Sequence, residues 1–514
     1  MSKIKQMLGK FQLTQVRLGA LISYMALGIN IVTGLLYTPW MVHKIGQSNY
    51  GLYTLATSLI AIFMLDFGLG SAVSRFVSKY RAEGNQGAIN KIVSVIYKLY
   101  FAIDGVILVV LVGLYFFLDI IYVKLTPEEL EIFKVLYLMV AGFNLISFPL
   151  SPLNGVLNAY EKFIQLKLCD VFNKLFTVVL VLIALTASAN VVTVVGANVT
   201  SGIITLIIKM IIVKKQLPIK LDLKGKGDKA TYKNLFGFTL WTTVISLMQR
   251  FTHSFAPSVL GMTSSSIEIA VYSPAVVLEG YFYLFATAVN GLFLPRISRF
   301  IAEKKEDKIL DLMIKVGKYQ ITVLGLIFVG FICVGKNFMN LWMGPEYAKS
   351  YYCTILLILP SLIGCSNQIA NTTVVAKNLV KYQAKCMMVT GVLGLALSYV
   401  LSIYFGSVGV CIGTAVTSIV NIIYMTFIYK NKAEIDIFKF YKKCWIKAIP
   451  CYAAVIAIGL FITSYITFTG WFGLIIKAMI VTGIYAIVFF LGYFSSKDRR
   501  DLVSKIKSIT KLNK

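Results

Sequence analysis

Two charged residues, Arg250 and Glu279, lie deep inside consecutive apolar segments of the chain. At a helical rise of 1.5 Å per residue, Arg250 lies ~24 Å from the segment end near Asn234, and Glu279 lies ~21 Å from the segment end near Phe293. In antiparallel membrane helices, both side chains would reach a similar depth. A charge at mid-membrane costs about 3 kcal/mol or more, so each is expected to face protein or a water-filled cavity.

The segment around Arg250 also carries a polar stripe along one helical face. Its members recur at intervals of three and four residues: Thr242, Ser246, Gln249, Arg250, His253 and Pro257. In a bilayer this face has to look inward. Two interpretations stay open for Arg250 and Glu279: a contact to an anionic substrate inside a cavity, or a buried ion pair that only locks two helices together.

Three further charges fall within apolar segments. Asp104 and Lys174 lie deeper than the segment ends and are candidates for a polar site, whereas Asp66 lies near an end, where capping or an ion pair with Arg75 would satisfy it. Other lysines lie so close to segment ends that their long side chains are predicted to reach the interface: Lys98, Lys209, Lys315 and Lys318.

A long series of apolar segments positions these residues. The chain has 514 residues, is 58% apolar and 14% charged, and has a mean hydropathy of +0.79, which excludes a soluble protein of this size. Stretches of ~20 apolar residues can cross a bilayer as helices. Fourteen spans are predicted, at residues 18–42, 50–70, 93–118, 135–157, 169–188, 191–213, 234–259, 269–293, 313–335, 351–372, 383–404, 408–429, 448–467 and 471–494. The predicted fold class is an all-α polytopic membrane protein with about 14 transmembrane helices.

The basic residues alternate between the two sides of these spans. Both termini and every second break hold 38 Lys and Arg, whereas the breaks on the opposite side hold five: Lys44, Lys124, Lys134, Lys336 and Lys349. Because cytoplasmic loops retain Lys and Arg, both termini are predicted to be cytoplasmic. The net charge of +28 follows from this asymmetry and indicates orientation and contact with anionic lipids, not nucleic acid.

One break divides the chain. Residues 214–233 form a charged, Gly-containing linker between a predicted N-terminal lobe (1–213) and a C-terminal lobe (234–429). Two further helices and a basic cytoplasmic tail follow, in 430–514. Each lobe would contain six spans.

A short repeat supports two equivalent lobes. Ser74-Arg75-Phe76-Val77 and Ser298-Arg299-Phe300-Ile301 both follow the second span of a lobe. Spans 1–6 and 7–12 are therefore predicted to be parallel repeats, related by an axis along the membrane normal.

Motifs of enzymes and metal sites are absent from the sequence. There is no G-x-x-x-x-G-K-[ST] phosphate loop and no H-E-x-x-H or G-x-S-x-G motif. The eight cysteines are scattered without a C-x-x-C pair. No catalytic residue, metal ligand or resident cofactor is predicted.

Residues 51–85 resemble a known family. The stretch Gly51-Leu52-Tyr53, with Asp66-Phe67-Gly68-Leu69-Gly70-Ser71-Ala72-Val73-Ser74-Arg75-Phe76 and Tyr80-Arg81-Ala82-Glu83-Gly84-Asn85, is similar to the second span and following loop of Wzx-type O-antigen and exopolysaccharide flippases. These belong to the multidrug/oligosaccharidyl-lipid/polysaccharide (MOP) superfamily. The resemblance implies two six-helix lobes around a central cavity, two extra helices, and movement of an undecaprenyl-pyrophosphate-linked oligosaccharide from the inner to the outer leaflet.

The family has no site signature to transfer, so the candidate residues come from depth and from the polar stripe. Arg250 is the predicted contact to the pyrophosphate. The predicted substrate-binding residues are Arg250, Gln249, His253, Glu279 and Lys174. The candidates for binding a coupling H⁺ or Na⁺ are Glu279, Asp66 and Asp104.

The resemblance implies a location in the bacterial cytoplasmic (inner) membrane, for lipopolysaccharide or other surface polysaccharide biosynthesis. The expected partners are the lipid-linked oligosaccharide, membrane lipids and other polysaccharide assembly proteins. A drug/cation antiporter of the same superfamily and a lipid II-type flippase stay open as alternatives, although residues 51–85 favour the polysaccharide branch over the antiporter. A membrane glycan polymerase is disfavoured, because the longest external loop spans roughly 16 residues.

Overall fold

The computed structural model describes residues 25, 27–63, 69–188, 190–219, 243–251, 254–287, 293–466, 468–496 and 498–500. Over these residues the chain is helical, with short turns between helices, so the predicted all-α class is confirmed. The helices are α1 (27–45), α2 (Gln47–Phe63), α3 (Leu69–Ala82), α4 (Gln86–Ile121), α5 (Pro127–Ser147), α6 (Pro152–Ala159), α7 (Phe163–Ala187), α8 (Val191–Gln216), α9 (243–251), α10 (Ala256–Thr263), α11 (Ser266–Thr287), α12 (Leu294–Ala302), α13 (Asp307–Trp342), α14 (Ala348–Ser366), α15 (Gln368–Ala376), α16 (Val380–Asn431), α17 (Ile437–Tyr465) and α18 (Gly470–Val488).

Ten of the described helical stretches are long and apolar enough to cross a membrane. Their outer faces carry large exposed apolar side chains. On α4, for example, Val109 and Phe116 are each 71% exposed. Such a surface is typical of contact with lipid, and the protein is a multi-pass membrane protein. The predicted count of 14 spans is not confirmed, because five predicted spans include residues outside the described ones: 18–42, 50–70, 234–259, 269–293 and 448–467.

Helix α16 contains two predicted spans. A continuous helix of its 52 residues would be ~78 Å long, more than twice the ~30 Å hydrocarbon core. Gly406 breaks it with φ 54° and ψ −132°, a conformation open to a residue without Cβ. The two halves then pack antiparallel, since Asn421 Nδ2 donates to Thr390 Oγ1 (3.2 Å) and Ser398 Oγ donates to Val410 O (3.4 Å). This agrees with separate eleventh and twelfth spans.

The described helices form two compact units, Met1–Ala270 and Val271–Lys514. In the first unit, α2 packs against α5 and α10, and α7 packs against α8. Where α7 meets α8, Ser201 Oγ and Thr205 Oγ1 both donate to Asn173 Oδ1, at 3.0 and 3.1 Å. Hydroxyl and amide groups thus join helices inside the predicted bilayer, where no water can satisfy them.

In the second unit, α13 packs against α14, α17 and α18. The last two helices, predicted as additions to the repeat, are joined to α13 by phenolic hydroxyls. Tyr452 donates to Ile321 O and Tyr485 donates to Thr322 O, both at 2.7 Å. A Cβ at Gly325 would lie 2.2 Å from the Tyr452 hydroxyl, so the glycine is what allows this close approach.

The same order of helices recurs in both units. Helices α4 and α13 are each 36 residues long. Each follows a short helix, α3 or α12, that packs against a second short helix, α6 or α15. Both α3 and α12 end in the same Schellman turn, in which the amide of Asn85 donates to Tyr80 O and the amide of Lys305 donates to Phe300 O, both at 2.9 Å. The short sequence repeat therefore marks a structural repeat, whereas the axis that relates the copies stays a prediction.

The predicted linker at 214–233 stays a prediction as well, because residues 220–233 lie outside the described ones. The division between the two units falls inside α11, between Ala270 and Val271. Pro274 lies just beyond it and removes one helical hydrogen bond.

Membrane topology is tested by labelling single cysteines in a variant that lacks the eight native ones, all of which are free thiols. In intact cells we expect a membrane-impermeant maleimide to label cysteines placed in 119–134 or 336–350. A cysteine in 214–233 should react only after permeabilisation, because that segment carries seven lysines. Labelling of 214–233 from outside would contradict the predicted orientation.

The hairpin within α16 predicts a penalty for a side chain at Gly413, where a Cβ would lie 2.7 Å from Ser398 N and Oγ. We expect Gly413→Ala to destabilise the protein by about 1–3 kcal/mol, the usual cost of overpacking. Gly330→Ala on α13 is the matched control, since nothing lies within 4 Å of its Cβ, and alanine favours a helix. Thermal denaturation in detergent measures both variants. An equal Tm for the two would contradict the close packing.

Candidate functional site

Arg250 and Gln249 lie near the last described residue of α9, in the first unit, and both side chains are exposed. Hydrocarbon cannot solvate a guanidinium, so an exposed arginine at the predicted depth requires a water-filled cavity or a polar ligand. His253 and Thr242, which were predicted to share this stripe, lie outside the described residues. Among the described members of the stripe, Gln249 and Arg250 are exposed, Ser246 is half-buried and Pro257 is buried.

Glu279 lies on α11 in the second unit and is only 9% exposed. Ser361 Oγ donates to its Oε1 at 2.7 Å. Ser361 follows Pro360 inside α14, and a proline at that position removes a backbone hydrogen bond and loosens the helix locally. A buried carboxyl with a neutral hydroxyl as its partner is a place where a proton or a small cation can bind.

The predicted contact between Arg250 and Glu279 stays a prediction. The two residues belong to different units, which divide after Ala270. Within its own unit, Glu279 has a partner in Ser361 that the sequence did not indicate. Both interpretations of the pair, substrate contact and structural lock, therefore remain to be tested by substitution.

Asp104 and Lys174 are two further polar groups within the spans of the first unit. Asp104 lies at the middle of α4, and its Oδ1 is buried without a hydrogen-bond partner among the described residues. Lys174 is half-buried on α7, next to Asn173, which bonds to α8. Asp66, the third candidate for a coupling ion, lies outside the described residues.

A charged cluster between α7 and α8 corrects the snorkelling role predicted for Lys209. This lysine is 9% exposed, and its Nζ donates to Asp170 Oδ1 at 3.3 Å and to Asn154 Oδ1 at 3.1 Å. Lys318, also predicted to snorkel, pairs with Asp498 at 2.7 Å. Both lysines are therefore anchored by carboxylates instead of reaching freely toward headgroups.

The positions of Asp170 and Lys209 along the chain also indicate their ion pair. Asp170 lies seven residues after the start of α7, and Lys209 lies seven residues before the end of α8. Equal distances from the same membrane face, on consecutive antiparallel helices, indicate an ion pair.

Comparison with known proteins identifies the family. Residues 17–298, more than half of the chain, match the protein family described as "Polysaccharide biosynthesis protein". A curated relative is the "Probable low-salt glycan biosynthesis flippase Agl15" of Haloferax volcanii, which is 22% identical over 196 residues, or 38% of this chain. The match spans only 42% of that relative's length.

Two solved structures share the arrangement of helices. The "Lipid II flippase MurJ, inward closed conformation" covers 95% of this chain and 99% of its own, at 16% identity and a TM-score of 0.72. An inward-facing multidrug resistance MATE family transporter of the MOP superfamily covers 80% of this chain and 94% of its own, at 15% identity and a TM-score of 0.59. Likeness at these identities establishes the fold alone. The chain thus belongs to the polysaccharide biosynthesis protein family and has the fold of MOP-superfamily transporters.

Proposed function

We propose that the protein is a flippase that moves an undecaprenyl-pyrophosphate-linked oligosaccharide from the inner to the outer leaflet of the bacterial inner membrane. Family membership and the glycan flippase relative support a glycan substrate. The fold that the protein shares with a lipid II flippase supports a lipid-linked substrate. The observation that carries the proposal is the combination of this family with charged residues that fall within predicted membrane spans: Arg250, Glu279, Asp104 and Lys174.

The substrate explains why such groups are needed. A pyrophosphate and a sugar chain are both too polar to cross hydrocarbon unaided. An arginine in a water-filled cavity offsets part of this cost through bidentate, charge-assisted hydrogen bonds to phosphoryl oxygens. Arg250 has the accessible side chain that this role requires. The polyprenyl chain needs no such help, because it remains in lipid throughout.

Glu279 has the surroundings that ion coupling requires. An ionised carboxyl can only accept the hydrogen bond from Ser361, whereas a protonated one can also donate. Proton binding therefore changes the contact between α11 and α14, and each of these helices contains a proline, Pro274 or Pro360, close to that contact. Rearrangement of such helices is a route to alternating access. Asp104, with its unpartnered oxygen, is the second candidate for the coupling ion.

A lipid II-type flippase is the second candidate function, favoured by the extent of the structural match to MurJ. It differs from the first only in the headgroup that is carried. Expression in a strain depleted of its own lipid II flippase separates the two, because only a lipid II-type flippase restores growth. A strain lacking its polysaccharide flippase gives the opposite readout.

Substitution of Arg250 tests the substrate contact. We expect Arg250→Ala to lower export of surface polysaccharide at least about tenfold at unchanged membrane abundance, the loss that corresponds to one charge-assisted hydrogen bond. Arg250→Lys should recover part of the export, because an ammonium keeps the charge but loses the bidentate fork. Lys336→Ala, at an exposed cation on α13, is the control and should export normally.

A double substitution distinguishes the two roles considered for Arg250, a contact to the substrate and a structural ion pair with Glu279. If Arg250 only pairs with Glu279, each single change strands a buried charge and lowers abundance, and the combination of Arg250→Ala with Glu279→Gln restores both abundance and export. Export and abundance are measured for the two single variants and the double one. Full export by the double variant would refute the substrate contact.

Substitution of Glu279 tests ion coupling. We expect Glu279→Gln to keep the shape of the site and its hydrogen bond to Ser361 but to abolish the dependence of export on the ion gradient, because an amide does not titrate. Ser361→Ala keeps the carboxyl but removes the hydroxyl whose contact changes on proton binding, so the response of export to an ionophore should weaken without disappearing. Coupling through Glu279 is wrong if the Glu279→Gln variant exports at the normal rate with the normal ionophore response.

A further inference from the structure

A polar cavity of about 750 Å³ lies between α3 and α6 in the first unit, a size within the range of small-molecule sites. Its polar lining consists of Ser74, Arg75, Ser78, Ser151, Asn154 and Asn158. At the same place the two helices touch closely, since a Cβ at Gly155 would lie 2.7 Å from Gly70 O. We call this feature the α3–α6 cavity.

Most polar residues of the α3–α6 cavity are hydrogen-bond donors, although the Ser151 hydroxyl donates to Ser147 O at 3.5 Å. Three hydroxyls, two amides and the Arg75 guanidinium face the same space. The lining residues that the structure describes include neither a carboxylate to bind a cation nor an aromatic ring to stack on a sugar. Convergent donors around a positive charge are what a phosphoryl group requires.

A buried lysine behind the cavity fixes the orientation of Asn154. Lys209 Nζ lies 3.1 Å from Asn154 Oδ1. An ammonium has donors only, so it takes the amide oxygen and leaves the Asn154 nitrogen as a donor for the cavity. Asp170 lies 3.3 Å from Lys209 and 3.6 Å from Lys167. One carboxylate thus balances two ammonium groups, and the group beside the cavity keeps a net positive charge.

The α3–α6 cavity lies near one membrane face. Lys209 and Asp170 are each seven residues from a helix end, at Gln216 and Phe163, which places them ~10 Å from those ends. Both ends belong to the side predicted to be cytoplasmic. Since α7 and α8 are 25 and 26 residues long, or ~38 Å, this depth is about halfway between the helix ends and the helix middles. The cavity therefore lies in the predicted cytoplasmic half of the bilayer.

The second unit has the corresponding asparagine without the cation. Asn154 and Asn371 each lie six residues before the same type of turn, which ends α6 and α15. Asn371 Oδ1 accepts from the hydroxyl of Tyr429 at 2.6 Å, whereas Asn154 accepts from Lys209. The equivalent asparagines therefore bond to a cation in the first unit and to a neutral phenol in the second.

We propose that the α3–α6 cavity is a phosphate-binding site that receives the pyrophosphate of the lipid-linked substrate on the cytoplasmic side, before Arg250. Arg75 and Asn154 are the contacts, and Lys209 is a positioning residue. The source of the pyrophosphate rests on the proposed function. A phospholipid headgroup offers the same phosphoryl chemistry, so the test separates these two sources.

The first measurement is calorimetric titration of the full-length protein with inorganic pyrophosphate, in nanodiscs of phosphatidylcholine. We expect Arg75→Gln to weaken binding about 10- to 100-fold, as for the loss of one charge-assisted hydrogen bond. Arg299→Gln is the matched control, because Arg299 has the same place in the repeated motif, and it should bind normally. Absence of binding by the unaltered protein, or equal affinities of the two variants, would overturn the proposal.

A second variant separates binding from folding. Asn154→Asp keeps the shape of the side chain and its contact to Lys209, and it replaces a donor with a carboxylate oxygen. We expect weaker pyrophosphate binding at an unchanged or higher Tm. Lys209→Met should also weaken binding, and Lys209→Arg should recover it in part. Normal binding by Asn154→Asp would contradict the assigned donor role.

Competition identifies the source of the phosphoryl group. We expect undecaprenyl pyrophosphate in the nanodisc to displace inorganic pyrophosphate in an Arg75-dependent manner, and phosphatidylglycerol to leave it bound. Equal displacement by phosphatidylglycerol would refute the loading role. If the protein exports glycan but the Arg75→Gln variant binds pyrophosphate normally, only the phosphate-binding role of the α3–α6 cavity is wrong. If binding depends on Arg75 but no glycan is exported, the proposed function fails and the phosphate site stands.

Discussion

The absence of water in the bilayer is the constraint on which this structure depends. A polar group inside a spanning helix has to find its partner on its own helix or on a neighbouring one, since hydrocarbon offers none. Asn173 with Ser201 joins α7 to α8, and Asn421 with Thr390 joins the two halves of α16. Phenolic hydroxyls attach α17 and α18 to α13 in the same way. Packing in each unit is thus directed by a small number of polar contacts within a largely apolar set of helices.

The same constraint indicates where function lies. Many intramembrane hydroxyls and amides bond to a carbonyl of their own helix, and others join two helices. Charged groups that do neither are candidates for ligand or ion binding. Asp104 leaves an oxygen without a partner among the described residues, Glu279 has only a neutral hydroxyl within its unit, and Arg250 is exposed. The repeat supports this view, because the equivalent asparagines Asn154 and Asn371 bond to Lys209 in one unit and to Tyr429 in the other. A duplicated scaffold therefore supports unequal chemistry in its two halves.

Features that depend on a single helix could be predicted from the sequence. Side-chain contacts that depend on how two helices face one another could not. Apolar length predicted the spans, and the motif at Ser74–Val77 predicted the repeat that the turns ending α3 and α12 display. Ser361 as the partner of Glu279, and Asp170 as the partner of Lys209, depend on how helices face one another, which hydropathy does not encode. The α3–α6 cavity was missed because serines and asparagines near helix ends are common, and only their convergence around Arg75 gives them meaning.

The central claim is that this protein carries a lipid-linked oligosaccharide across the bilayer. The most direct measurement follows the leaflet distribution of a fluorescent undecaprenyl-pyrophosphate oligosaccharide in liposomes that contain the purified protein, with a membrane-impermeant reductant as quencher outside. Lipid in the inner leaflet of protein-free liposomes stays protected. The account predicts that the protein removes this protection under an ion gradient, because inner-leaflet lipid is brought to the outer leaflet. A protected fraction equal to that of protein-free liposomes would contradict it.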